Sequence, residues 1–293
     1  NRIMPNLKDI RTRITSVGST MQITSAMKLV SAAKLKRATD SIVQLRPYAD
    51  KLRELLQNVS STLEAEVGGA LTEEREVNKV LLVVINSNRG LCGGYNSSII
   101  KKVNALLADE LAGKKVELLT IGKKAFETFK KTQEIYKNES TIWDNLNFAD
   151  VAEIADDLVE KFTAGDYDQI RIIYNQFQNA AVQIVQNEQF LPVVIEKADE
   201  NATNEAELDY IFNPSKEEIL TDLIPQTLKT QLFKAVLDAN ASEHGARMTA
   251  MHKATDNASE LQKGLKIQYN KARQAAITNE ILEIVGGAEA LNA

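Results

Sequence analysis

Cysteine, histidine, proline and aromatic residues are all scarce in this chain. A single cysteine, Cys92, excludes an internal disulfide and fits a reducing compartment. Two histidines, His244 and His252, with no Cys/His cluster, argue against a structural zinc site. Eight residues separate them, roughly 12 Å along a helix at ~1.5 Å per residue, too far to share a metal. Aromatics are 5% of the 293 residues, so a single aromatic-rich core is not expected. No run of about 18 apolar residues exists, so no segment is expected to span a bilayer. Asn1 to Pro5 carry no apolar run of the secretory-signal kind. With only 13 glycines and 5 prolines, turns should be few and elements long. The formal charge of −5 points to neither nucleic acid nor a strongly anionic surface.

What is present falls into three blocks, 1–66, 67–209 and 210–293. In the first, a heptad starting at Leu7 places Leu7, Ile14, Met21, Leu35 and Ile42 at one seam position and Ile10, Val17, Ala38, Leu45 and Leu52 at the other. Fourteen of 17 seam positions are apolar, a coiled-coil pattern. The exceptions, Thr24, Lys28 and Ser31, are consecutive, and around them the apolar stripe drifts to Ile23, Ala26, Met27 and Val30. Such a local break predicts function rather than packing. Pro47 should bend this helix. Up to Leu63 the block holds 11 Lys/Arg against 4 Asp/Glu. That excess reads as a solvated face, a nucleic-acid surface lacking interleaved aromatics, or steering toward an acidic protein.

The middle block alternates strand and helix patterns. Lys79–Asn86, Val116–Ile121 and Gln169–Tyr174 read as strands. Tyr95–Leu111, Lys123–Lys131 and Phe148–Thr163 read as helices, and Val182–Val185 with Phe190–Val194 reads as a final hairpin. This predicts a small Rossmann-like α/β domain flanked by linkers at Gly68–Val77 and the acidic Glu196–Asp209. The loop with Gly90, Gly93 and Gly94 could present backbone N–H groups to a phosphate. It matches neither the dinucleotide fingerprint nor the lysine-bearing phosphate loop, and a structural turn is the simpler reading. Cys92 reads as a buried thiol, because no histidine lies in this block.

The third block repeats Met251, Ala254, Ala258, Leu261, Leu265, Gln268, Ala272, Ala275, Asn279 and Leu282 at 3-4 spacing, eight of the ten apolar, with Pro225, Gly245 and Gly264 as candidate interruptions. The two terminal helices should pair antiparallel, and the end of the longer one should project. There Ile277, Ile281 and Ile284 occupy one face and Leu282 and Val285 another. A helix apolar on several faces needs an apolar surround, here from another protein. Arg273 and Gln274, just before it, offer planar, multidentate hydrogen bonding suited to a carboxylate.

Three stretches resemble the gamma subunit family of rotary (F-type) ATP synthases. They are Ile23–Leu35 (ITSAMKLVSAAKL), Ser87–Asn96 (SNRGLCGGYN, with Asn88 where Asp is usual) and Asn270–Ile281 (NKARQAAITNEI). The resemblance implies a non-catalytic central-stalk rotor without cofactor or metal: an antiparallel coiled coil inside a hexamer of alpha and beta subunits, joined to an α/β domain that binds the epsilon subunit. It implies beta-subunit contacts at Met27, Arg247, Arg273 and Gln274. It also implies an apolar bearing at Ile277, Ile281, Leu282, Ile284 and Val285, and a foot on the c-subunit membrane ring at Tyr210, Ile211, Phe212 and Asn213. The family often has Glu at the position of Asn213. The implied location is peripheral, on the cytoplasmic face of a bacterial plasma membrane, and the lone cysteine argues against the redox-regulated chloroplast form. Two alternatives remain open on the residues alone: a nucleotide-binding α/β enzyme with a coiled-coil oligomerisation handle, and a basic coiled-coil scaffold for nucleic acid.

Overall fold

The computed structural model describes residues 7–61, 69–73, 75–193 and 216–292. The acidic stretch Glu196–Asp209 and the expected foot, Tyr210 to Asn213, lie outside the described residues. The order of elements is α1 (Leu7–Ser61), β1 (Lys79–Ile85), α2 (Tyr95–Ala108), β2 (Lys115–Ile121), α3 (Lys123–Phe129), β3 (Glu134–Asn138), α4 (Phe148–Thr163), β4 (Gln169–Phe177), β5 (Gln183–Leu191) and α5 (Lys216–Asn292). It is a mixed α/β fold with long terminal helices, as expected. The chain divides into two compact units, Asn1–Ser31 with Met248–Ala293, and Ala32–Arg247.

In the first unit α1 and α5 run antiparallel. Thr24 and Thr255 share a hydrogen bond of 2.8 Å, and Lys28 Nζ lies 3.4 Å from His252 Nδ1. Farther along, Gly18 sits where a Cβ would come within 2.7 Å of Gln262 Nε2. The heptad seam is kept through its polar members. Thr24 and Ser31 are buried, as is Ile10 farther back on the seam, and Ser31 donates to the Met27 carbonyl at 2.7 Å. This corrects the expectation that the break marks function rather than packing: Thr24 and Ser31 are packing positions whose hydroxyls find partners at no cost in unsatisfied groups. The apolar stripe does not drift; a second one lies outside the seam, with Ile23, Leu29 and Val30 exposed.

In the second unit the sheet order is β3-β2-β1-β4-β5, parallel except for the antiparallel edge strand β5. Central β1 alternates its side chains into two cores. Val80, Leu82 and Val84 pack with Ile99, Val103 and Phe129 under α2 and α3. Leu81, Val83 and Ile85 pack with Val151, Leu158 and Phe162 of α4 and with Ile224, Leu228, Leu232 and Val236 of α5. Full burial of each such side chain stabilises the fold by ~1.5–3 kcal/mol, which is why a continuous apolar run forms the innermost strand. Asn147 caps α4, its side chain accepting from the Asp150 N–H at 2.9 Å.

Four expectations need correction. The final hairpin is β4 with β5, and residues 182–194 do not form a hairpin of their own, because β5 runs unbroken from Gln183 to Leu191. A fifth strand, β3, was not foreseen. The segment read as a linker at 68–77 contains a 3-10 turn, Gly69–Leu71, whose Leu71 carbonyl accepts from the Val193 N–H at 2.8 Å. None of Pro225, Gly245 and Gly264 interrupts α5, while Pro47 lies inside an unbroken α1.

Candidate functional site

The far end of α5 carries five exposed aliphatic side chains within nine residues. At the register set by Thr24 with Thr255 and Gly18 with Gln262, the start of α1 at Leu7 lies level with Arg273. Beyond that point α5 has no antiparallel neighbour among the described residues. Ile277, Ile281, Leu282, Ile284 and Val285 are 47%, 55%, 62%, 68% and 49% exposed. Arg273 and Gln274 are exposed on the turn before them. The spacing of 4 and 3 residues puts Ile277, Ile281 and Ile284 on one face and turns Leu282 and Val285 to another. Water around five half-exposed aliphatic side chains forfeits roughly 5 kcal/mol that an apolar surround would recover.

The exposed stripe on α1 is the second surface. Ile23, Leu29 and Val30 lie outside the seam, and Met27 is half-buried beside them. Exposed aliphatic area of this kind suits a protein partner.

The third candidate is the crevice beyond the C-terminal ends of β1 and β4. The strand order reverses direction there, and doubly wound sheets bind their ligands at such a point. The loop Ser87–Gly94 lines it. Leu91 and Gly93 take left-handed backbone conformations, φ 62° and 58°. Asn88 ties the loop to its neighbours, donating to Ser140 O at 2.8 Å and accepting from the Lys123 N–H at 3.0 Å. Cys92 is buried and its Sγ accepts from Asn96 Nδ2 at 3.2 Å. Burial pushes its thiol up, partly offset by the Arg247 cation.

That crevice is already occupied by α5. Ser242 Oγ donates to Asn175 O at 2.9 Å. Gly245 passes so close to the β4–β5 connection that a Cβ would lie 3.2 Å from Ala180 Cα and 3.3 Å from a Phe177 ring carbon. Arg247 Nη1 pairs with Glu243 at 2.7 Å, and Nη2 donates to Arg89 O at 3.2 Å and Gly90 O at 3.4 Å. Burial pushes the Glu243 carboxyl up against the opposing pull of Arg247. Burial, then Arg247 and Lys34, bring the His244 imidazole down to about 4. The loop carbonyls of Arg89 and Gly90 accept from a cation already paired with Glu243, so that guanidinium is committed within the chain.

The expected contact residues are thus differently placed. Arg273 and Gln274 are free of packing, Met27 is at an edge, and Arg247 is only 8% exposed with its guanidinium turned inward. Sequence reasoning missed Ser242 and Glu243. The Glu243–Arg247 spacing of four looks like an ordinary surface helix pair, and only the tertiary fold reveals its burial. Among the described residues no group of His, Cys, Asp and Glu could hold a metal ion, and no helix is long and apolar enough to cross a membrane.

Comparison with known proteins places these features in context. A family model described as ATP synthase matches residues 6–291. The ATP synthase gamma chain of Flavobacterium johnsoniae is 64% identical over 289 residues, covering 99% of this chain and 100% of that one. The ATP synthase gamma chain of Flavobacterium psychrophilum is 62% identical, covering 98% and 99%. Among solved structures, the rotor of Euglena gracilis mitochondrial ATP synthase is similar with a TM-score of 0.65 at 21% identity, covering 92% of this chain and 98% of that one. The central stalk and c-ring structure of Tetrahymena thermophila mitochondrial ATP synthase contains a similar chain, with a TM-score of 0.56 at 26% identity, covering 79% and 99%.

Proposed function

The chain belongs to the ATP synthase gamma-chain family, and from that premise we propose that it is the non-catalytic shaft coupling rotation of a proton-driven membrane ring to conformational change in a surrounding hexamer. The bare apolar end of α5 carries this reading. A free helix gains nothing by holding Ile277, Ile281, Leu282, Ile284 and Val285 in water, whereas a collar of alpha and beta subunits would bury them. Apolar burial is non-directional, so such a collar holds the shaft without fixing its angle.

Driving the reaction also needs interactions that differ with angle. Arg273 and Gln274 at the base of the apolar end, and Met27 within the exposed stripe of α1, are the residues proposed to meet beta subunits. One asymmetric shaft in a threefold ring makes three identical catalytic sites unequal, and coupling is the difference in contact energy between them. The epsilon subunit is assigned to the α/β domain, and residues 210–213 to the ring. The location that follows is peripheral, on the cytoplasmic face of a bacterial plasma membrane.

The test is Arg273→Ala with Gln274→Ala in the assembled complex. The rotor reading expects an intact subunit composition and a coupled ATP synthesis rate reduced severalfold. An unchanged rate in fully assembled complexes rejects the assigned grip. The enzyme reading is opposed by the occupied crevice; stoichiometric nucleotide binding by the purified chain would revive it.

A further inference from the structure

We propose that Arg247 is an internal latch: a positioning residue that pins α5 to the loop after β1, so that twist applied to α5 is carried into the α/β unit. The proposal rests on the rotor reading for its consequence, but its structural half stands apart from it.

Three ties fall within six residues of α5. Ser242 is bonded to the end of β4 through Asn175 O, Gly245 is in close approach to Ala180, and Arg247 spans two successive loop carbonyls, those of Arg89 and Gly90. The first two could be met by any small side chain with a hydroxyl or by none. The third needs a guanidinium, because only a planar fork can serve a carboxylate on one nitrogen and two carbonyls on the other. Glu243 holds that fork in orientation from one turn back. Both residues are largely buried, so the pair is little screened by solvent.

Asn88 and Ser87 hold the loop from the sheet side, Ser87 Oγ donating to Arg89 O at 2.6 Å, and Arg247 adds the hold from α5. Leu91 has φ 62°, a conformation costing a residue with a Cβ of the order of 1 kcal/mol, and Leu91 is 67% exposed, so its own packing does not repay this. Arg247 is moreover the last residue of the α/β unit before α5 passes into the other one. The apolar packing of Ile224, Leu228, Leu232 and Val236 holds α5 to the sheet farther back, and the clamp at Arg247 adds a polar tie that holds the loop to α5 when α5 is twisted. This accounts for Arg247 without a beta-subunit contact, which its buried side chain does not offer.

Cys92 provides the readout. It is the only cysteine of the chain, it lies in the latched loop, and it is 1% exposed. In the purified full chain, Arg247→Ala should speed labelling of Cys92 by a thiol reagent at least tenfold, and Arg247→Lys should fall between it and wild type. Electrostatics alone predicts the reverse, since Arg247 favours the reactive thiolate and its removal slows the chemistry. Faster labelling therefore reports access. Its rate should depend only weakly on urea; a dependence as steep as global unfolding overturns the latch, as does a wild-type labelling rate in Arg247→Ala. If the alanine variant does not fold, the lysine variant is held to the same criterion. In assembled complexes the same variants should lower protons pumped per ATP hydrolysed. A loosened loop with unchanged pumping ratio overturns the torque-carrying role, while leaving the Arg273 and Gln274 test of the rotor reading untouched.

Discussion

Two ionisable groups on α5, the buried Asp238 and the half-buried His244, oppose one another as pH changes. Asp238 is 4% exposed, and burial raises its carboxyl from 3.8 to about 6 despite Lys234, the Phe177 N–H and Arg46; Glu188 adds to the rise. Its neutral form is favoured in the fold. The stability it lends is fully present below pH 4 and lost as pH rises through about 6, a change of roughly 3 kcal/mol. His244 has the opposite sign. Its value falls from 6.5 to about 4, so its contribution is intact above pH 6.5 and lost as pH falls through 4. Between pH 4 and 6 the two changes nearly cancel in the native chain, and single variants should uncover them. Asp238→Asn, able to keep an acceptor for the Phe177 N–H, should be more stable than wild type at pH 7.5 and lose that advantage by pH 4. His244→Gln should gain on wild type as pH falls from 7 to 4.5. Urea unfolding of the purified chain at several pH values measures both; parallel curves for all three proteins would reject the two assignments.

At the scale of the element, the glycines of α5 show what periodicity can and cannot convey. Gly245 and Gly264 look alike in the sequence, each a candidate helix break, and neither breaks it. Around Gly264 nothing lies within 4 Å of an added Cβ, so Gly264→Ala should stabilise the chain by up to about 1 kcal/mol through helix propensity alone. At Gly245 the added Cβ meets the Ala180 backbone and the Phe177 ring, and the same substitution should lower the unfolding midpoint despite the better propensity. Equal effects at both positions would contradict the packing described at Gly245. Long elements with strong periods were legible for the same reason that these glycines were not. The seam of α1 and the apolar run of β1 repeat one chemical property many times, whereas the fit of Gly245 against Ala180 depends on two segments meeting across the fold. Strand β3 escaped notice because Glu134, Lys137 and Asn138 leave an edge strand with three of its five residues polar and exposed. Of the candidate site, the apolar end and Arg273 with Gln274 were readable because they face no partner among the described residues. The inward turn of Arg247 was not, since it depends on where the loop carbonyls of Arg89 and Gly90 come to lie.

For the molecule as a whole, the rotor reading separates what folding needs from what assembly needs. Residues 277–285 of α5 contribute little to the fold of the free chain, because their side chains are about half exposed or more. A charge placed among them should therefore be nearly silent before assembly and costly after it. Ile281→Asp puts a carboxylate on a position that is 55% exposed in the free chain and would be enclosed by apolar collar residues in the complex. Asp also has lower helix propensity than the aliphatic it replaces, a penalty of a few tenths of a kcal/mol that both states share. The purified variant should unfold within a degree or two of wild type. Reconstituted with alpha and beta subunits, it should assemble poorly or yield an ATP hydrolysis rate reduced severalfold. Ile281→Leu, which keeps volume and polarity, should restore both. If the aspartate variant assembles and turns over normally, the end of α5 does not run in an apolar collar; if instead the free chain is strongly destabilised, that end is held by the chain's own residues.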